Sequence, residues 1–371
     1  MTRSMIFHVP YPLNPAAAAA SGIRPVRMRR AFEAIGYEVA EISGTAAERR
    51  RSIREVKRRI RSGEHFEFVY SEASTKPTAM TEAHSLPTHP FLDLGFLRFC
   101  TKRGIPVGVF YRDIYWNEPA YLERVPRPIA LVTRALYRWD LLRYRSAVRR
   151  IFVPSMRMAE VMPHTRLEQC IPLPPGSDVV DLPRPEDPAS MFYVGALGTY
   201  YRLHEAVRAF AGLPNASLTI CTGEAIWEAE REEYLPILDP ATTRVVHASG
   251  AGLETYYAQS ALGCLVLEPI AYREFAAPLK LYEYLGHGRP IVAVKGSLAG
   301  DFVEQQGIGW SIDYSAKALR ELLESLRADP ASYAEMERRV REVRGSHSWE
   351  ARAKQAAQGL GVEPPATPQS D

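Results

Sequence analysis

The sequence predicts an α/β protein of two Rossmann-like domains, each a parallel sheet with helices packed on its faces. Three observations carry this expectation. Short β-branched runs alternate with helix-length amphipathic segments almost throughout the chain. At 371 residues, 46% of them apolar, the chain is long enough for two domains of ordinary size. Near the middle, residues 172–188 (PLPPGSDVVDLPRPEDP) are rich in proline and acid and have neither a helical nor a strand period, which marks a domain boundary and hinge.

In the first half the expected strands are 4–9, 37–42, 66–70, 107–111, 150–153 and 169–172, with helices between them. The second half repeats the scheme with strands at 191–194, 217–221, 243–247, 264–267 and 291–294. Two open sheets joined by a hinge turn their carboxyl edges toward a common cleft, and ligands of such sheets bind at those edges. Functional side chains are therefore expected in the loops that follow strands.

Composition excludes several classes. Cys100, Cys170, Cys221 and Cys264 lie far apart with no CxxC pair, so neither a zinc site nor a disulfide framework is indicated and a reducing cytoplasm is the expected setting. The first fifteen residues are broken by His8 and Pro10 before a signal-peptide core forms. No window supplies the roughly 18 uninterrupted apolar residues of a membrane span.

The net charge of +3 conceals an asymmetry. Residues 1–180 carry 28 Lys and Arg against 17 Asp and Glu, and the remainder carries 18 against 26, so the halves face different partners. Much of the positive charge lies in 48–63 and 134–150. The second of these interleaves Tyr137, Trp139, Leu142 and Tyr144 with Arg138, Arg143, Arg145 and Arg149. Two readings stay open: contact with an anionic membrane or acceptor, or a solvated basic face on a helix whose aromatic side is core. No RNP, zinc-finger or helix-turn-helix signature accompanies the charge, so nucleic acid is not an expected partner.

The most informative segment is 278–294, PLKLYEYLGHGRPIVAV. Lys280 and Glu283 are three apart and share a helical face near its start, Gly286 and Gly288 end the helix, and IVAV reads as a buried parallel strand. A helix opening at the carboxyl edge of a parallel sheet offers free N–H groups and a positive dipole end to a phosphate. Lys280 adds a charge there, and Glu283 is placed to accept hydrogen bonds from a ribose diol. The alternative is an intrahelical ion pair followed by a core strand.

This segment resembles the nucleotide-sugar signature of GT-B glycosyltransferases, in particular the "glycosyl transferases group 1" class, in which P-x-K-x-x-E-Y-x-x-x-G-x-P-[IV]-V is common. Three further segments follow in that family's order. Residues 171–179 (IPLPPGSDV) are similar to its interdomain turn, 192–207 (FYVGALGTYYRLHEAV) to the opening strand and glycine loop of its C-terminal domain, and 346–355 (SHSWEARAKQ) to the start of its last helix. The resemblance implies an N-terminal acceptor-binding domain over 1–176, a C-terminal nucleotide-sugar domain over 177–345, a crossover helix over 346–360 that packs back on the N-terminal domain, and a disordered tail over 361–371. It implies transfer of a sugar from a UDP- or GDP-linked donor to a glycan or lipid-linked acceptor with retention of configuration at the anomeric carbon, the donor being the substrate, with no other cofactor and no metal. The basic first half points to a cell-surface polysaccharide or glycolipid precursor at the inner face of the membrane.

Site residues follow from this resemblance and from the loops. Gly195 and Gly198 let the backbone approach the diphosphate. Where the family supplies an Arg in that loop this chain has Ala196, leaving Arg202 as the replacement and Lys280 to carry more of the phosphate charge. Gly223 and Glu224 match the strand-end position that abuts the base, as does the loop 247–250. Backbone N–H groups from Ala276 through Ala277 to Leu279 lie near the phosphate, and Glu283 holds the ribose. The family's second glutamate falls on Phe275, one position from Glu274. On the acceptor side, Gly22 permits close approach and Arg24 reaches a phosphate or acceptor. Asp113, at the end of the fourth strand, orients or deprotonates an acceptor hydroxyl, or caps its turn. His84 and His89 line the acceptor side or are ordinary surface histidines. Two rivals to the enzyme are a catalytically weak nucleotide-sugar binder and a polysaccharide-assembly scaffold.

Overall fold

The computed structural model describes residues 3–17, 20–183, 185, 187–275 and 277–365. The chain divides into two units, Met1–Pro174 with Trp349–Asp371, and Pro175–Ser348. Each holds one six-stranded sheet, and every recorded strand pairing is parallel. Two Rossmann-like domains are thus the architecture that the alternating pattern dictates.

In the first unit the strands are β1 (Arg3–His8), β2 (Tyr37–Ile42), β3 (Val69–Glu72), β4 (Val107–Phe110), β5 (Arg150–Val153) and β6 (Cys170–Pro172). Their order is β2-β1-β3-β4-β5-β6, so the winding reverses between β1 and β3. The third strand lies about three residues later than its apolar run suggests. Phe66 and Phe68 are buried, but Phe68 only offers its carbonyl to the Ile6 N–H, and the ladder with β1 begins at Val69. Helix Trp349–Gly359 packs on helix Ala20–Ala34 of this unit. Beyond it, Val362 donates to the Ala357 carbonyl and the Glu363 carbonyl accepts from Arg3; residues 366–371 of the expected tail lie outside the described residues.

The second unit contains β7 (Ser190–Val194), β8 (Ser217–Cys221), β9 (Thr243–Val246), β10 (Leu262–Leu265), β11 (Ile291–Val294) and β12 (Gly309–Ile312), in the order β12-β11-β10-β7-β8-β9. This is the doubly wound order of dinucleotide-binding sheets, with its switch point between β7 and β10. The core strand β10 lies two residues earlier than expected: it pairs with β7 from Leu262 and ends at Leu265, where Leu267 turns back to donate to the Leu265 carbonyl. β12 is an edge strand of four half-buried residues that follows the left-handed helix cap at Gly307. A short run of that kind, GWSI, has too little apolar signal to announce itself.

The helix Leu279–Gly286 ends as its sequence predicts. His287 is the C-cap and Gly288, at φ 70°, takes the left-handed position that stops the turn. Gly286 has a second role. A Cβ there would stand 2.2 Å from the Asp178 carbonyl oxygen and 2.5 Å from Ser177 Oγ, where the segment after Pro175 crosses the helix and Val180 donates to the Gly286 carbonyl. Gly286→Ala should therefore lower the unfolding free energy by roughly 1–3 kcal/mol in thermal or denaturant melts. Gly345→Ala, at a position with no heavy atom near the added methyl, should stay within about 0.5 kcal/mol of the parent.

Candidate functional site

At the switch point of the second sheet, the loop leaving β7 and the helix entered after β10 converge. Gly195 leaves β7 at φ 146°, and a Cβ at that residue would lie 2.5 Å from Lys280 Nζ. The lysine occupies the space that the missing side chain frees, so the backbone of the loop and the first turn of the helix Leu279–Gly286 sit against one another. Pro278 is the N-cap of that helix, with no side chain capping it, and Ala277 and Leu279 are half-buried beside it. Ala276 lies outside the described residues.

Lys280 is buried, and among the described residues its ammonium is held by aromatic groups and by no ion-paired carboxylate. Nζ donates to Tyr193 Oη at 2.8 Å and sits 4.1 Å from the centre of the Tyr193 ring and 4.7 Å from that of Tyr201. The faces of tyrosine rings attract a cation. They do not replace water: burial, with the nearby charge of Arg273, pushes the Lys280 ammonium down to about 7, against a smaller upward pull from Glu283. Tyr193 in turn donates to the Ala196 carbonyl, and burial holds its phenol well above the ordinary range.

Arg273 is the guanidinium whose charge acts on Lys280. It stands in the short helical turn Ala271–Glu274, donates to the carbonyls of Glu268 and Tyr200, and lies 5.3 Å from the centre of the Tyr201 ring. Arg202 has a different place. It is partly exposed, pairs with Glu268 at 3.3 Å, and borders an open, charged pocket of about 330 Å³ that also takes in His204, Glu233 and Tyr314. The structure thus sets beside Lys280 an arginine to which the sequence reading gave no role. Tyr193 and Tyr201 were passed over as well, although they bracket the two glycines of FYVGALGTYY.

The remaining residues of the second unit are distributed around these loops. Glu283 is half-buried on the helix that carries Lys280, and its carbonyl accepts from the N–H of His287. His287 Nδ1 is 2.6 Å from that same carbonyl, Nε2 is 3.2 Å from Glu254 Oε1, and the ring stacks on Tyr257 at 3.8 Å. Gly198 faces protein: a Cβ there would meet Glu230 Oε1 at 2.8 Å. Gly223 is the N-cap of helix Glu224–Tyr234 directly after β8, with Glu224 exposed in its first turn. His247, after β9, lies with Nδ1 2.8 Å from the Thr222 carbonyl oxygen.

The carboxyl edge of the first sheet forms a second, smaller recess of about 190 Å³ at the β1/β3 switch point, lined in part by Tyr11, Asn14, Gly22, Thr75 and Arg112. Gly22 serves its own loop, since a Cβ would collide with that of Ala17 at 2.4 Å. Arg24 does not reach out as expected. It is buried over the Phe110 ring, pairs with the fully buried Glu72 at 3.3 Å, and donates to the carbonyls of Leu173 and Pro174. A buried arginine next to a buried carboxylate is held there by the cost of separating them. Arg112 takes the other Glu72 oxygen at 3.3 Å and donates to Tyr11 Oη at 2.7 Å, and so rims the recess. Asp113 accepts from the Tyr115 N–H at 2.9 Å, the turn-capping role. His84 Nδ1 accepts from Leu86 in its own turn, and His89 approaches Arg50. Among the described residues no group of three or more His, Cys, Asp or Glu side chains is placed to hold a metal ion.

No family model matches the sequence, and a comparison with curated proteins finds no match. Solved structures do match over nearly the whole chain. HepE from Anabaena, crystallised with UDP-glucose, is 12% identical, with a TM-score of 0.62 over 96% of this chain and 99% of that one. Sucrose-phosphate synthase from Thermosynechococcus elongatus is 14% identical, with a TM-score of 0.59 over 96% and 98%. WaaG, a glycosyltransferase involved in lipopolysaccharide biosynthesis, is 14% identical, with a TM-score of 0.60 over 96% and 99%. At these identities the likeness establishes the fold, GT-B, with its two Rossmann-like domains.

The buried lysine has a thermodynamic consequence. Folded Lys280 loses its proton near pH 7 and an unfolded lysine near 10.5, so between those values the unfolded chain binds more protons and stability rises with pH. Lys280→Met should raise the unfolding free energy at pH 7 by roughly 1–4 kcal/mol. The advantage should shrink as denaturant melts are repeated toward pH 10.

Proposed function

We propose that this GT-B chain is a glycosyltransferase that takes a sugar from a nucleoside diphosphate sugar. The observation that carries the reading is the convergence of Gly195, Lys280 and Arg273 at the switch point of the second sheet, beside a helix start without a side-chain cap. A diphosphate needs close backbone approach, positive charge and N–H donors, and these three features supply them. That HepE is crystallised with UDP and with UDP-glucose supports the same ligand class.

On this reading the chemistry is chiefly electrostatic. As the glycosidic bond to the donor phosphate breaks, negative charge grows on the leaving diphosphate, and Lys280, Arg273 and the helix dipole stabilise it without a divalent ion. Glu283 accepts the ribose hydroxyls, and the loops after β8 and β9, with Gly223, Glu224 and His247, border the base. In the first unit, Asp113 and Arg112 face the acceptor, for which a glycan or lipid-linked hydroxyl of a cell-surface polysaccharide or glycolipid pathway is the proposed class. Retention of anomeric configuration and hexosyl transfer are carried from the family resemblance.

A thermal-shift series with UDP, GDP, ADP and dTDP tests the donor assignment. One nucleotide should raise the melting temperature of the parent, and Glu283→Ala and Lys280→Met should each weaken its binding at least about tenfold, the loss expected when a charge-assisted contact is removed. Stabilisation by none of the four, or undiminished stabilisation of both variants, would remove the proposal. Release of free sugar from the matching donor, persisting in EDTA, would separate an enzyme from a protein that only binds.

A further inference from the structure

The helix Arg127–Ala147 of the first unit shows two faces that its sequence alone leaves unsorted. Tyr137, Asp140, Leu141 and Tyr144 point inward and are buried, so the aromatic residues of this basic segment belong to the core, apart from the half-buried Trp139. The outward stripe is different. Leu131, Ala135, Arg138, Leu142 and Arg145 follow one another at spacings of four, three, four and three, and all five are exposed. Leu131 is 69% exposed, Val132 and Ile129 are each 53% exposed at the same end of the helix, and Leu122 just before it is 42% exposed. Phe91, 65% exposed, leans edge-on against Trp139 and extends the apolar surface.

Charge decides what such a surface suits. The helix carries five arginines and a single acid, Asp140, and that acid is buried. A second copy of the chain docking by this face would set one row of arginines against another. Nucleic acid would satisfy the arginines and leave Leu131, Val132 and Leu142 in water. A bilayer with anionic headgroups meets both requirements, since phosphates pair with the arginines while the leucines enter the boundary between headgroups and acyl chains. We propose that the first unit docks on anionic membrane through the outer face of helix Arg127–Ala147, with Leu122 and Phe91 at its margins. The proposal stands apart from the donor chemistry, which involves the other unit, and it supplies the setting in which a lipid-linked acceptor is met.

Flotation of the full chain with vesicles tests it, using phosphatidylcholine alone and phosphatidylcholine containing a quarter phosphatidylglycerol. The parent should float with the mixed vesicles and remain behind with the neutral ones, and moderate salt should weaken the association. Two variants separate the contributions, Leu131→Ser with Leu142→Ser, and Arg138→Gln with Arg145→Gln. Each should lower partitioning roughly tenfold or more. Because these side chains are exposed, melting temperature and the nucleotide-induced shift should match the parent, so a loss of flotation is not a loss of folding. No flotation of the parent on mixed vesicles, or unchanged flotation of either variant, overturns the proposal. So does a dimer in sedimentation velocity that the double serine variant abolishes, which would name a second copy as the occupant. A null nucleotide shift alongside intact flotation would sink the donor assignment alone.

Discussion

An ammonium group with no ion-paired carboxylate among the described residues, enclosed by protein at the reversal point of a parallel sheet, is the constraint on which the second unit depends. Burying Lys280 costs free energy in the folded protein, and the tyrosine rings and the Tyr193 hydroxyl offset only part of that cost. The neighbouring elements are shaped around it. Gly195 lacks the Cβ that would occupy its place, the strand order β7-β10 brings its two loops side by side, and Arg273 adds a like charge that outweighs the opposite pull of Glu283. A buried lysine with a second cation beside it is electrostatically costly by itself, and that cost is the physical ground for the proposed diphosphate assignment.

At the carboxyl ends of β1, β3 and β4 the first unit treats buried charge in the opposite way, by pairing, although Asp140 elsewhere in the unit is buried with the Thr78 N–H on one oxygen and is pushed up to about 7 by burial. Glu72, fully buried at the end of β3, is bracketed by Arg24 and Arg112 and receives a hydrogen bond from Tyr70. Nearby, Arg49 holds both oxygens of Asp93, and His8 at the end of β1 takes one of them at 3.0 Å. Burial alone would raise the Asp93 carboxyl, but the hydrogen bond from His8 and the charges of His8 and Arg49 outweigh it and keep the group below the usual carboxylate range. Two such networks fix the carboxyl ends of β1, β3 and β4 and hold the recess beneath Arg112 in shape. One sheet edge thus sets its buried carboxylates against arginines, whereas the other sets a buried lysine beside a second basic group, Arg273.

How much of this could be read in the sequence follows from the range of each signal. Eleven strands were anticipated because apolar β-branched runs between turn residues report burial locally, and the helix carrying Lys280 was anticipated with its end because Gly286, Gly288 and Pro290 are local punctuation. β12 escaped because four half-buried edge residues leave no period, and β3 shifted because Phe66 and Phe68 are buried without joining the ladder. Side-chain partnerships were the least legible. That Arg24 turns under Glu72, that Arg273 stands over Tyr201, and that Tyr137 and Tyr144 face the core depend on contacts between residues tens of positions apart, which no spacing rule encodes. The glycine at 195 was recognised as a point of close approach, but only the fold reveals that the approaching atom is the lysine's own nitrogen.

The central claim, that Lys280 takes up a proton when a diphosphate binds beside it, is tested most directly by calorimetry of UDP binding at pH 8 in buffers of different ionisation enthalpy. With the folded lysine titrating near 7, closing a diphosphate onto it should draw in about one proton per UDP bound, and Lys280→Met should draw in none. Binding of UDP with no proton uptake by the parent protein, or with the same uptake by the variant, would contradict the account.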